Sequence, residues 1–246
     1  YYKTVRPEME SLEEAMREVL AMVLISPDFL YLVEDEENKQ PLQDHALAAR
    51  LSYFLHGSMP DAELRRVADA GELSEDRFLL DQTRRMLADE RAWQFIEQFT
   101  EQWLDLGAVN RVAINPEYYP DFNDALKDEM RSETKHFFAE ILRADVSALA
   151  FLDSDFAMLN STLARHYGIS GPQGMRFERT PLDEDGKRGG VLTQGAFLLG
   201  NSEGSDSHPI KRAVWIRTRL LDDAPSPPPP NVPSLDTADP NFAKLS

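Results

Sequence analysis

The longest helical pattern in the chain is NDALKDEMRSETKHFFAEILR, residues 123–143. Apolar side chains recur through it every three to four residues, as on one face of an α-helix. They predict a single buried stripe formed by Leu126, Met130, Phe137 and Ile141. A helix of this length needs other elements to cover its apolar stripe. The remaining sequence is therefore expected to supply the elements that pack against it.

Shorter helical patterns surround the long one. The capping box Ser11-Leu12-Glu13-Glu14 predicts the start of a helix that ends at Ser26-Pro27. Asp44 and Ser74 are predicted N-caps of two more helices, which end at Gly57 and near Ala88. Further helices are predicted over about 59–71, 91–106 and 146–152, and through Leu159, Leu163 and Tyr167 to Gly168. Short connections favour antiparallel packing, so the fold class is predicted as all-α, a helical bundle.

The composition changes after residue 168 and suggests a second domain. Residues 168–190 hold six glycines and little periodicity, which predicts a long loop. We therefore expect a bundle domain over 1–168, in which the first 25 or so residues belong either to the bundle or to the end of a preceding domain. A loop-rich extension over 169–246 follows, with helices near 191–199 and 208–222. The prolines after Pro225 predict a stiff, polyproline-like tail.

Charge and cysteine content narrow the function classes. The formal net charge is -17, which disfavours nucleic-acid binding and docking to an anionic membrane surface. No stretch approaches the ~20 apolar residues of a membrane span, so no membrane insertion is expected. The chain has no cysteine, so no c-type haem can be attached within it. It opens Tyr1-Tyr2-Lys3 without an initiator methionine, which fits a piece of a longer polypeptide.

Two short motifs are interpreted as incidental. Gly200-Asn201-Ser202-Glu203-Gly204 matches the nucleophile elbow of hydrolases, but Asp206 and His208 follow on the same loop, too close for an in-line triad. Glu133-Thr134-Lys135-His136 matches half of a di-iron site and lacks the second copy that such a site needs. Polar residues line one edge of the long helix, and we expect that edge to face water. They are Glu129, Glu133, His136 and Glu140.

The stretch Ser207-His208-Pro209-Ile210-Lys211-Arg212-Ala213-Val214-Trp215-Ile216 holds the candidate site residues. Proline suits a first helical turn, so a helix is predicted to start here. Lys211 and Trp215 share one face of it and are, with His208, the candidates for contact with a cofactor of a neighbouring domain. The candidate metal ligands are Glu203, Asp206 and His208. Capping of its own helix is the alternative role for His208. No catalytic residue is predicted.

Six motifs, in order along the chain, resemble one family. They are Leu24–Tyr31, Leu51–Leu55 with Ser58–Asp61, Leu159–Gly168, Arg188–Gly195, Ser207–Trp215 and Pro228–Pro233. The chain is similar to paired domains of unknown function found in the middle of large exported cytochrome-like proteins of planctomycetes and some other bacteria. The resemblance implies an exported protein, periplasmic or at the cell surface. It also implies c-type haem in flanking domains, whose Cys-x-x-Cys-His motifs this chain lacks.

The resemblance and the helical pattern together suggest a haem-free scaffold or interaction module. Such a module would position flanking haem domains of the same polypeptide, or a redox partner protein, for electron transfer. The alternative is a periplasmic module that binds or acts on polysaccharide. Its basis is an acidic composition and a set of aromatic residues able to stack on sugar rings, namely Trp93, Trp103, Tyr118 and Tyr119.

Overall fold

The computed structural model describes residues 2–31, 43–183 and 188–226. Most of these residues are helical, as predicted. The chain divides into two compact units, Tyr1–Ile96 and Glu97–Ser246, with the division inside one helix. The predicted domain boundary near residue 168 stays a prediction, as does the bundle arrangement. The proline-rich tail after residue 226 lies outside the described residues.

The first unit is built from helices. They are α1 (Tyr2–Val5), a 3-10 turn (Arg6–Glu8), α2 (Leu12–Leu24), α3 (Pro27–Leu30), α4 (Asp44–His56), α5 (Ala62–Asp69), α6 (Asp76–Ala88) and the first part of α7 (Ala92–Trp103). Its hydrophobic core comes from α4, α5 and α6 and the turn after α5. The fully buried members of that core include Leu64, Leu73 and Met86.

The helix starts and stops in this unit follow local side-chain chemistry. Ser11 Oγ accepts a hydrogen bond from Glu14 N at 3.1 Å, which confirms the predicted cap of α2. Gly57 ends α4 in the left-handed conformation, φ 58°, also as predicted. The predicted N-caps at Asp44 and Ser74 are wrong, because Gln43 holds the cap position of α4 and Glu75 that of α6. Asp44 instead accepts from Leu73 N and Ser74 N, across the unit.

The second unit is organised around α9 (Asp124–Arg143), which begins with Asn123 as its cap. The helices before and after it are α8 (Ala108–Arg111), α10 (Ser161–Tyr167), α11 (Gly195–Gly200) and α12 (Pro209–Arg219), with 3-10 turns at Ala148–Phe151 and Val191–Thr193. The predicted stripe of α9 is buried in one core with side chains of the C-terminal helices. These include Phe197 and Trp215.

A small sheet in this unit corrects the all-α prediction. Strand β1 (Phe156–Leu159) pairs antiparallel with β2 (Glu178–Pro181), and Phe156 lies opposite Pro181. The helix predicted through Leu159 begins only at Ser161, because Asn160 is its cap and accepts from Leu163 N. All four β1 residues are buried. A fully buried strand has no alternating pattern, which explains why its sequence was interpreted as helix.

Candidate functional site

The loop between α11 and α12 is shaped by backbone contacts. Ser202 and Ser207 form an isolated antiparallel bridge, and Glu203 N donates to Asp206 O at 3.1 Å. Gly204 closes the loop with φ +83°, where a Cβ would lie 1.8 Å from Ala113 O. Only glycine fits this combination of positive φ and close backbone approach. The loop therefore lies against the segment that follows α8.

His208 caps its own helix. Its Nδ1 accepts from Lys211 N at 3.2 Å, and its Nε2 lies 3.4 Å from Glu203 Oε1. Lys211 Nζ donates to Ser202 O at 3.3 Å and lies 4.0 Å from the same Glu203 oxygen. The structure thus brings together three of the five predicted site residues, with His208 and Lys211 beside the carboxylate of Glu203.

The other two predicted residues have different surroundings. Trp215 is buried in the core, where its Nε1 donates to Leu104 O at 3.1 Å and its ring meets Phe197 edge-on. Asp206 is exposed, and its Oδ1 accepts from Ser207 N at 2.7 Å. Within the described part of the chain, no three His, Asp or Glu side chains come together in a way that could hold a metal ion.

The nucleophile-elbow motif has no triad geometry. Ser202 Oγ donates to Leu199 O at 2.8 Å and accepts from Gly204 N at 3.2 Å. His208 uses its two ring nitrogens toward Lys211 N and Glu203, so no base faces that hydroxyl. A triad requires a hydrogen bond from the serine to the histidine. These contacts instead stabilise the turn that leads into α12.

Two clefts flank this loop. The first, named here the Arg212 cleft, has a volume of about 380 Å³ and is lined by Ile114, Tyr119, Phe122, His166, Leu199, Ser202, Gly204, Ser205, Asp206, Ser207 and Arg212. The second, the Arg111 cleft, has a volume of about 550 Å³ and is lined by Asp105, Ala108, Arg111, Val112, Ala113, Gly200, Asn201, Ser202, Glu203 and Lys211. Both volumes are within the range of roughly 300–1,000 Å³ typical of small-molecule sites.

Glu133 of α9 belongs to a buried polar network, although the sequence predicted that this edge of the helix faces water. That prediction is wrong for Glu133, which is 2% exposed. Tyr167 Oη donates to Glu133 Oε2 at 2.6 Å, and Gly195 N donates to Tyr167 Oη at 3.1 Å. Burial raises the pKa of Glu133 to about 7, although the hydrogen bond from Tyr167 and the charge of Arg188 oppose that rise.

The network extends to both sides of Glu133. The guanidinium of Arg188 lies 3.7 Å from the centre of the Tyr167 ring, a cation–π contact. Thr134 Oγ1 donates to Gln194 Oε1 at 2.7 Å, and both side chains are buried. A sign of this network was present in the sequence: Glu133 and Thr134 occupy the turn between Met130 and Phe137, where the apolar stripe is interrupted. A polar gap in a buried stripe indicates buried hydrogen bonding.

The Glu-x-x-His motif is divided between two environments. Glu133 is inside the network, while the ring of His136 stacks on Phe177 with centroids 4.4 Å apart. Burial lowers the pKa of His136, and the charge of Arg143 adds to the effect. The two side chains therefore take part in packing and hydrogen bonding rather than in a shared ligand set.

These features define a mostly helical protein with a small sheet and two polar surface clefts. The chain belongs to the family PSD4, described as "Protein of unknown function (DUF1592)", whose model matches residues 42–169, just over half of the chain. A second family model, PSCyt3, described as "Protein of unknown function (DUF1588)", matches residues 188–244. The two matches stand in tandem, consistent with the paired cytochrome-like domains expected above. No curated protein and no solved structure matches the chain.

None of the helices in residues 2–31, 43–183 and 188–226 is long and apolar enough to cross a membrane.

Proposed function

We propose that this chain is a haem-free scaffold module of a larger exported cytochrome-like protein. In this role it holds flanking haem domains, or a redox partner protein, at a fixed separation for electron transfer. The tandem family matches support the setting, because one of them carries a cytochrome-like name. The absence of cysteine means that any c-type haem belongs to other parts of the polypeptide. A periplasmic or cell-surface location is part of the proposal and rests on the resemblance.

The observation that carries the proposal is the shared core of the second unit. Residues of both family matches contribute to it, from Leu126 and Phe137 in the first match to Val191 and Trp215 in the second. Polar contacts join the same two segments, including Tyr167 to Gly195 and Thr134 to Gln194. A close-packed core with hydrogen bonds between its segments resists bending, as a spacer between redox centres must.

Side-chain contacts also fix the end of α12. Trp103 Nε1 donates to Arg219 O at 2.8 Å, and Arg219 Nη1 donates to Gln102 O at 3.2 Å. Arg217 pairs with Asp223 just beyond the helix, with Nη2 and Oδ2 2.8 Å apart. The direction in which the chain leaves α12 is therefore set by the core, and this is the property that a scaffold needs.

The test uses the natural polypeptide that contains this chain. Its visible absorption spectrum and mass should show covalently bound haem, whereas the isolated chain should show none. Photoreduction of the haems should then give an intramolecular electron-transfer rate that falls when Trp103→Ala loosens the end of α12. A polypeptide without haem would contradict the proposal. An electron-transfer rate that stays unchanged in Trp103→Ala, although this variant melts at a lower temperature than the wild type, would contradict it as well.

A second candidate function is polysaccharide binding, favoured by the exposed aromatics. Tyr118 and Tyr119 are 67% and 47% exposed, and Tyr119 lines the Arg212 cleft with Phe122. Trp103 is half-buried within an aromatic cluster with Phe99 and Phe138, so it presents less surface to a ligand. Binding to a panel of soluble polysaccharides, compared between wild type and Tyr119→Ala, tests this candidate. Equal binding by both proteins would exclude the surface around Tyr119 as the binding site, and no binding by either would exclude the function.

A further inference from the structure

Among the described residues, Arg212 is a cation without a paired anion. Its Nε is shielded from solvent and has no hydrogen-bond partner, and the guanidinium forms no ion pair with any described residue. The same residue lines the Arg212 cleft. A half-buried guanidinium normally pairs with carboxylates or carbonyls, because removing a charge from water without compensation is costly. An unpaired one at the wall of a cleft indicates that the compensating group comes from a ligand.

The neighbouring cleft provides a comparison within the same chain. Its two cations already have partners: Arg111 Nη2 lies 2.7 Å from Asp105 Oδ2, and Lys211 Nζ contacts Ser202 O and Glu203. Neither needs a ligand to neutralise it. The difference therefore assigns anion binding to the Arg212 cleft rather than to the larger Arg111 cleft.

The rest of the Arg212 cleft suits a hydroxylated ring. Tyr119, Phe122 and His166 contribute ring surface, and the rings of Phe122 and His166 meet edge to face with centroids 6.1 Å apart. Asp206 and the serines of the loop contribute oxygen atoms that accept hydrogen bonds from hydroxyls. A simple inorganic anion would fill little of 380 Å³ and would leave Asp206 facing a like charge.

We infer that the Arg212 cleft binds an acidic sugar, a pyranose ring that carries one carboxylate or one sulfate. The anionic group pairs with the Arg212 guanidinium, whose fork of N–H donors matches either oxyanion. The ring hydroxyls donate to Asp206 and to loop oxygens, and the ring face lies on Tyr119. This inference rests on the second candidate function, polysaccharide binding, and deepens it by naming the class of sugar. It is independent of the scaffold role.

The experiment is isothermal titration of the whole chain at moderate ionic strength with three probes. D-galacturonate carries a carboxylate, D-galactose 6-sulfate carries a sulfate, and D-galactose carries neither. We expect saturable binding of one or both acidic sugars and at least tenfold weaker binding of galactose. Arg212→Gln should lower the affinity for the acidic sugar at least tenfold. Arg212→Lys, which keeps the charge without the fork, should have an intermediate affinity.

Arg165→Gln is the matched control, because it removes an exposed cation that lines neither cleft. It should bind acidic sugar as the wild type does. Thermal melts show whether each variant is folded, and Arg212→Gln should be, because the Arg212 side chain has no partner among the described residues. The two acidic probes distinguish a uronate from a sulfated sugar.

The outcomes separate this inference from the function on which it rests. Equal affinity for galactose and the acidic probes, or acidic binding unchanged in Arg212→Gln, overturns the inference while polysaccharide binding stands. No binding of any probe, together with no polysaccharide binding, overturns both. Loss of acidic-sugar binding in both Arg212→Gln and Arg165→Gln would indicate non-specific charge attraction and would also overturn the inference.

Discussion

At the scale of single residues, burial decides how Glu133 behaves. Its carboxyl group shares a short hydrogen bond with Tyr167 in a site closed to water, and burial also raises the pKa of that tyrosine well above its usual value. Charged forms are disfavoured in such surroundings. The polar gap in the stripe of α9 indicated buried hydrogen bonding at Glu133, but the sequence could not reveal its partners, because Tyr167 and Gly195 come from later in the chain.

The raised pKa of Glu133 predicts a pH-dependent stability. The folded value is about 7 against 4.5 for the unfolded chain, so the folded state holds more protons between these values. The stabilising contribution of Glu133 to the free energy of unfolding is complete below pH 4.5. It is lost as pH rises to 7, so that the free energy of unfolding falls by roughly 3 kcal/mol. Urea unfolding from pH 4.5 to 8 measures the change.

Glu133→Gln should remove this pH dependence while keeping an acceptor for Tyr167. As pH rises, the stability of the variant should increase relative to that of the wild type. The difference between their unfolding free energies should level off above pH 7. Glu140→Gln, the same substitution on a partly exposed turn of α9, controls for the chemical change itself. Parallel pH profiles for the wild type and Glu133→Gln would contradict the assignment.

Asp61 has the opposite behaviour in the first unit. Hydrogen bonds from Arg85 lower its pKa to about 2, helped by the cap bond from Leu64 N and a bond from Arg91. Its contribution is present above pH 3.8 and is lost as pH falls toward 2. Asp61→Asn keeps a capping oxygen and loses the charge, so we expect it to lower the unfolding free energy by about 2 kcal/mol at pH 7.

Chemical unfolding at pH 7 and near pH 2 measures this effect. The destabilisation should shrink at the lower pH, where the wild-type carboxylate begins to protonate. A penalty of the same size at both values would show that the ion pairs with Arg85 and Arg91 are not its source.

At the scale of elements, the helix stops at glycine were predicted correctly, whereas two of the three N-caps named from the sequence, Asp44 and Ser74, were one residue off. The cap at Ser11 and the left-handed stops at Gly57 and Gly168 act within four residues of the chain and are confirmed. The β1–β2 pairing joins segments about twenty residues apart, so periodicity could not reveal it. The clefts were also beyond prediction, since they combine the loop before α12 with Tyr119 and His166.

The loop that separates the clefts depends on Gly204. Gly204→Ala would place a Cβ 1.8 Å from Ala113 O at a positive φ, so the loop must move. We expect a loss of roughly 2 kcal/mol or more in unfolding free energy. Gly174→Ala is the matched control, because nothing lies within 4 Å of its Cβ position. Equal melting temperatures for the two variants would contradict this account of the loop.

At the scale of the whole molecule, the family matches and the structure divide the chain differently. The matches cover 42–169 and 188–244, whereas the second compact unit contains parts of both. Residues of the second match are therefore expected to need α9 for their core, since Val191, Phe197 and Trp215 are buried in the same cluster as Phe137. Sequence similarity follows segments of one chain, but packing joins segments that are distant in sequence.

Within the second unit, we propose that α9 of the first match and α12 of the second are held in one rigid arrangement. The chain has no cysteine, so spin labels can be attached at Ala125→Cys in α9 and Thr218→Cys in α12, both exposed positions. The pair Ala125→Cys and Arg143→Cys, within α9, supplies a single-helix reference. Pulsed electron–electron double resonance should give one narrow distance distribution between α9 and α12, as narrow as the reference. A broad or multiple distribution beside a narrow reference would contradict the account.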